Sequence, residues 1–266
     1  VSPGTPFAPP DSLRSSGLRG LLGAPRIALL PGRAALAAGG PVRQADSTQA
    51  GWAGALAALD GLLAQAKARG TASVTLSHHF ARLFLLPAPA AWIKPAEMGP
   101  WLADSLKDAL DAGADWHYAW RLAPPGQPIL VAALPKDHLA QLTQTLGRHG
   151  LRAGQARPWL SAAWARRRRR LGGASGWYAL LEPGQLVLLG LHRGQARSLR
   201  QRQLGHDAGA DFQALLTRET LLAGGEVGGP VWLERTGVSL DRQALAGGHR
   251  LEELTCPQDP AGALLS

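Results

Sequence analysis

Two stretches of this chain share one build, and that repetition limits its fold more than any other feature. Residues 26–30 (RIALL) are an apolar run, Pro31-Gly32 is a turn pair, and Arg33 to Ala38 is the return. Later, Ala179-Leu180-Leu181 leads into Glu182-Pro183-Gly184-Gln185 and returns through Leu186 to Leu189. A third strand follows the His192-Arg193-Gly194 turn, at Gln195 to Gln203. Each opening reads as a hairpin, because Pro fixes φ at the turn and Gly tolerates the positive φ beside it. The pair suggests a duplicated, two-lobed architecture. The alternative is a coincidence of two ordinary Pro-Gly turns.

Helical periodicity fills the space between. From Gln49 to Ala68, Trp52, Leu56, Leu59, Leu62, Leu63 and Ala66 fall on one face, with Thr48 placed to cap the start and Gly70 the end. From Pro95 to Ala112, Met98, Trp101, Leu102, Leu106 and Leu110 make a second stripe that Gly113 would stop. Helices are also expected over 137–148 and 208–223, and strands over 72–77, 80–86, 116–122, 128–134 and 230–234. Strands alternating with helices predict a mixed α/β class. The expected layout is a Pro/Gly/Ser-rich flexible arm over 1–25, a first lobe over 26–165, a basic and Gly-rich junction over 166–176, a reduced second lobe over 177–240 and a tail over 241–266.

The formal charge of +9 needs to be read by position. Residues 161–203 hold nine Arg and one acid, Glu182, so +8 of the excess is local. The chain has 24 Arg, four Lys and no Asn, a skew that resembles a GC-rich coding bias. Charge alone is therefore a poor argument for a polyanion partner. The run Arg166-Arg167-Arg168-Arg169-Arg170 is sharper: five adjacent guanidiniums repel one another and must be solvated or paired. It is open to four readings: a solvated helix end, a nucleic-acid contact, an anionic membrane contact or a contact for an acidic protein segment.

Signatures of chemistry are sparse. The chain has no phosphate-binding G-x-x-x-x-G-K-[ST] loop, no G-x-G-x-x-G and no G-x-S-x-G elbow. His78-His79 are adjacent, and on a strand adjacent side chains leave by opposite faces, so a shared metal is disfavoured. The single cysteine, Cys256, excludes an internal disulfide and has no visible activating partner. No apolar run reaches the length of a membrane-spanning helix. Of the nine Trp, Trp52, Trp101, Trp116, Trp120 and Trp232 read as core, while Trp159 and Trp164 are the best candidates for exposure.

Taken in order, three segments carry a resemblance. They are Thr75 to Pro87 (TLSHHFARLFLLP), the helix after Pro95, and Ile129 to Lys136 (ILVAALPK) followed by Leu142, Leu146, Gly150 and Leu151 and then Arg157 to Trp164 (RPWLSAAW). Over roughly residues 26–240 this order resembles the actin-like ATPase superfamily. Within it, the likeness is to the PilM family of type IV pilus platform proteins and the cytoplasmic domains of the GspL family of type II secretion. The resemblance implies a two-lobed ribonuclease H-like fold with mixed sheets and flanking helices, around a cleft that holds ATP and magnesium in relatives. In relatives the first hairpin carries Asp-x-Gly; here the matching positions read Leu29-Leu30-Pro31-Gly32-Arg33. The second hairpin, which supplies an Asp in relatives, reads Leu181-Glu182-Pro183-Gly184 here, with Glu182 acidic but longer, and the late Gly-Gly is reduced to Thr236-Gly237. Magnesium-assisted phosphoryl transfer needs positioned carboxylates. The resemblance therefore implies a degenerate nucleotide site, no ATPase activity and no resident cofactor. It also implies a cytoplasmic scaffold, peripheral to a bacterial inner membrane, that grips the cytoplasmic tail of an inner-membrane pilus or secretion protein. Phe80, Arg82, Phe84 and Trp101 are then candidate groove residues, with the Arg run as a further contact. The competing expectations are a nucleic-acid-binding module built on the Arg run and an active ATP-binding protein.

Overall fold

The computed structural model describes residues 24–66, 68–89, 93–111, 114–120, 126–224, 229–239, 249–257 and 259–266. The chain divides into two compact units: the first ends at Pro158 and the second begins at Trp159, with residues 83–85 belonging to the second and Leu265 to the first. The expected arm lies almost wholly outside the described residues, as does the expected Gly113 helix stop.

The first unit opens with β1 (Arg26–Leu30), β2 (Arg33–Ala37) and β3 (Arg43–Asp46), followed by α1 (Gly51–Ala66) and β4 (Gly70–Leu76). Next in the chain is β5 (Arg82–Leu86), whose residues 83–85 group with the second unit; after α2 (Pro95–Leu106), β6 (Trp116–Trp120), β7 (Ile129–Pro135) and α3 (Lys136–Arg148), the first unit closes with β8 (Leu151–Pro158). Its main sheet has the order β3-β2-β1-β4-β8. β1, β2 and β3 form an antiparallel meander, while β4 runs parallel to β1 and β8 parallel to β4. One hydrophobic core joins Ile27, Leu29, Leu36, Val74 and Leu76 of the strands to Trp52, Leu59 and Leu63 of α1 and Leu142 and Leu146 of α3. Trp52 is central to it. Its ring meets Phe80 edge-on at 5.0 Å and stacks on His138 at 4.4 Å, and its indole N–H donates to Gln141 Oε1.

The second unit repeats the scheme. After α4 (Trp159–Leu171) come β9 (Gly176–Glu182), β10 (Gln185–His192), β11 (Gln195–Gln203), α5 (Ala208–Leu222), β12 (Val231–Arg235), β13 (Leu251–Glu253) and α6 (Pro260–Leu265). The sheet order is β11-β10-β9-β12-β13. β9, β10 and β11 form the antiparallel meander, β12 runs parallel to β9, and β13 parallel to β12. Each unit is thus three antiparallel strands, a helix, then strands added parallel to the first. The two Pro-Gly hairpins open a topological repeat. β9 and β10 are apolar on both faces because both faces are covered, which is why they read as continuous apolar runs.

Several expectations change. The division falls at 158/159, and the Arg run lies inside α4 of the second unit instead of at a junction over 166–176. Within the stretch read as a tail, residues 251–253 join the sheet and residues 260–265 are helical, while residues 241–248 lie outside the described set. Residues 43–46 and 151–158 are strands that the sequence pattern did not mark, since RQAD and LRAGQARP lack apolar alternation. Trp159 is fully buried, not exposed, and Trp164 is half-buried against Tyr178. His78 and His79 lie in a turn, the first buried and the second exposed.

Candidate functional site

The first hairpin turn is closed upon itself. Gly32 has φ +68° and sits where an added Cβ would lie 2.9 Å from Gln49 O. Its N–H donates to Gly51 O at 3.1 Å, and its carbonyl accepts from the Ser47 N–H at 2.7 Å. An added Cβ on Gly54 of α1 would collide with Gln49 O of the same connection and lie 3.0 Å from the Gly32 Cα. Arg33, opposite Asp46 in the ladder, donates from Nε to Asp46 Oδ1. Pro31 is exposed and has no N–H to give. The backbone donor that a glycine turn would aim at a phosphate is thus already engaged by the β3–α1 connection.

The second hairpin brings Glu182, Gly184 and Gly237 together around Pro183. Glu182 is 1% exposed and pairs across the ladder with Gln185. Gly184 turns with φ +76°, and its carbonyl accepts from the Leu204 N–H at 3.0 Å. Gly237, at φ +61°, is wedged between two rings: an added Cβ would lie 3.2 Å from Pro183 Cγ and 2.8 Å from Pro260 Cγ. Thr236 is fully buried, and its N–H donates to Leu181 O. The space beside the late glycine is therefore filled by the chain's own prolines. The first turn, Pro31-Gly32, carries no carboxylate, and Glu182 is enclosed at the end of β9. Among the described residues no group of three or more His, Cys, Asp or Glu is placed to hold a metal.

The candidate groove residues fall into different environments. Phe80 is 7% exposed and belongs to the core against Trp52, so it is not a surface contact. Arg82 is exposed, while Phe84 and Trp101 are half-buried. Trp101 shares α2 with buried Met98, Leu102 and Leu106.

The Arg run is split by the helix that carries it. At 100° per residue, Arg166, Arg167 and Arg170 share one side of α4, and Arg168 and Arg169 point away from it. The inward three find carboxylates. Glu234, on β12, has no exposed surface and accepts from Arg166 Nη2 at 3.2 Å, Arg167 Nε at 2.7 Å and the Tyr178 hydroxyl at 2.8 Å. Arg167 also donates from Nη2 to Thr255 O. Arg170 Nη2 lies 2.9 Å from Glu252 Oε2, Arg250 Nη2 lies 3.2 Å from its Oε1, and the Trp232 indole N–H donates to the same group. Arg235 pairs with Glu253 at 2.7 Å. Beside this network, burial first and the charge of Glu234 second push the Cys256 thiol up to about 12. Burial and then the same carboxylate hold the Tyr178 phenol well above its ordinary value. Arg168 and Arg169 are exposed and make no ion pair among the described residues. Sequence inspection missed Glu234, an acid after the apolar run 231–233, and Glu252, one of an acidic pair with Glu253.

No family model matches the chain, and no curated protein matches it in sequence. Solved structures do resemble it. One, a PilM–PilN type IV pilus biogenesis complex, aligns with a TM-score of 0.58 at 16% identity over 88% of each chain. The cytoplasmic domain of EpsL, an inner-membrane component of the type II secretion system of Vibrio cholerae, aligns with a TM-score of 0.57 at 15% identity, over 91% of this chain and 93% of that one. A Bacteroides thetaiotaomicron protein of unknown function with the actin-like ATPase fold aligns with a TM-score of 0.58 at 10% identity, over 87% and 90%. The mixed α/β fold, with its repeated hairpin-opened units, is the actin-like ATPase fold.

Proposed function

We propose that this chain is a non-catalytic scaffold of a type IV pilus or type II secretion-like assembly, which binds the cytoplasmic tail of an inner-membrane partner. The observation that carries this reading is the likeness, over about nine-tenths of the chain, to a protein from a pilus biogenesis complex and to the cytoplasmic domain of a secretion component. Fold by itself does not assign function, so the reading leans also on the hairpin turns. The Gly32 N–H is committed to Gly51, and Gly237 is filled in by Pro183 and Pro260, which favours a protein that has kept the actin-like frame without its nucleotide chemistry. On this reading it works in the cytoplasm at the inner membrane, with exposed Arg82 and half-buried Trp101 of the first unit as groove candidates, while Phe84 groups with the second unit. Phe80 is no longer one of them. The nucleic-acid reading loses its main support, because three of the five guanidiniums in the run already have carboxylate partners.

The experiment is a pull-down with synthetic cytoplasmic tails of the inner-membrane pilus and secretion proteins encoded beside this chain. Retention of one tail, lost on Trp101→Ala or Arg82→Glu, is expected. Retention of none of them defeats the proposal.

A further inference from the structure

We propose that the C-terminal end of α4 is an electrostatic contact for an anionic lipid surface. The last turn of α4 presents Arg168, Arg169 and Arg170 on three sides of the helix end, where positive charge also complements the helix dipole. Arg170 and Arg250 flank the Glu252 carboxylate, with side chains 57% and 81% exposed. One carboxylate thus holds two guanidiniums in place without neutralising both, and its orientation is fixed by the Trp232 N–H. The outcome is a basic patch in which Arg170 and Arg250 share one acid and Arg168 and Arg169 are exposed on the same helix end.

The geometry distinguishes among polyanions. A nucleic-acid strand or an extended acidic peptide is followed by charges along one side of an element. Here Arg168, Arg169 and Arg170 leave the last turn about 100° apart, so they do not line up along one side of the helix. A single-stranded nucleic acid would also need aromatic rings on which to stack. The aromatic residues nearby do not supply them: Trp232 is 6% exposed with its N–H on Glu252, and Trp164 leans on Tyr178. No large apolar side chain of the patch is exposed, so the contact is electrostatic, reversible and salt-sensitive, not an insertion.

The test is co-sedimentation of the full chain with vesicles of phosphatidylcholine alone or mixed with phosphatidylglycerol. Binding is expected only to the anionic vesicles and is abolished by high salt. Arg168→Gln/Arg169→Gln weakens it by about fivefold per arginine, about 25-fold in all. Because neither residue is in an ion pair, the variant keeps its fold; Arg250→Gln, which leaves Glu252 with Arg170 and Trp232, provides a second variant expected to lose about fivefold. Equal binding of wild type and variants overturns the proposal, as does binding that ignores lipid charge. Oligonucleotide affinity that falls in the variants while vesicle binding does not also overturns it, in favour of nucleic acid. The vesicle assay contains no partner tail, so its failure leaves the scaffold reading intact, and the reverse holds.

Discussion

Glu234 has no exposed surface, and its position is tolerable because Arg166, Arg167 and the Tyr178 hydroxyl converge on it as donors. Burying an ion costs several kcal/mol, which good geometry offsets but rarely exceeds, so the value of the network shows when one member is removed. Glu234→Ala leaves Arg166 and Arg167 facing each other without a counter-charge. Urea denaturation is expected to show a loss of about 3–5 kcal/mol. Cys256 reports on the same region by another route. With its thiol pushed up to about 12 from an ordinary 9.0, almost no thiolate exists near neutrality. Native protein is expected to resist a thiol reagent at about pH 8 until denaturant is added, and rapid labelling of the folded state contradicts this. The linkage has a definite sign. The folded value lies above the unfolded one, so the stability gained by keeping the thiol neutral is complete below about pH 9.0 and disappears as pH rises toward about 12.

At the scale of elements, α4 shows how a helix sorts one monotonous sequence into two functions. Five arginines span more than a full turn, so they cannot all face the same way. Arg166→Gln/Arg167→Gln is expected to destabilise the protein by several kcal/mol, as Glu234→Ala does. Arg168→Gln/Arg169→Gln should stay within about 0.5 kcal/mol of wild type in the same measurement, as surface changes do. Identical effects from the two pairs would refute the division. Helical period showed that the run must divide, but not where: Arg169 lies about 60° from Arg166 and Arg167 about 100°, so the carboxylate partners decide which arginines pair. Glu234 was not legible, because it lies 68 residues from Arg166 in sequence and nothing local announces the pairing. The same contrast runs through the strands. β1, β2, β9, β10 and β11 declared themselves through Pro-Gly turns and apolar runs. β3, β8 and β13 did not, because a short or polar strand owes its state to the neighbour that pairs with it.

At the scale of the whole molecule, the repeat of three antiparallel strands, helix and parallel strands is what makes the actin-like fold recognisable at 10–16% identity. The duplicated hairpin openings were visible in the sequence because turn chemistry is local. The environment of the turns was not, since the contacts of Gly32 with residues 47–51 and of Gly237 with Pro183 and Pro260 depend on where other segments pass. These contacts lead to an expectation about the whole protein. A nucleotide at a hundred times its dissociation constant would stabilise the fold by about 2.7 kcal/mol. Magnesium with ATP is expected to leave the melting temperature unchanged, and a clear upward shift would restore a working nucleotide site.

The carboxylate that neutralises the α4 arginines has a further consequence, one of timing. On the ribosome, Arg166 and Arg167 emerge 68 and 67 residues before Glu234, and Arg170 emerges 82 residues before Glu252. At about 5–20 residues per second, the bare arginine run spends several seconds in the presence of ribosomal RNA before its own counter-charges exist. During that interval the nascent chain is a polycation, and the last strands of the second unit end that state as they are synthesised.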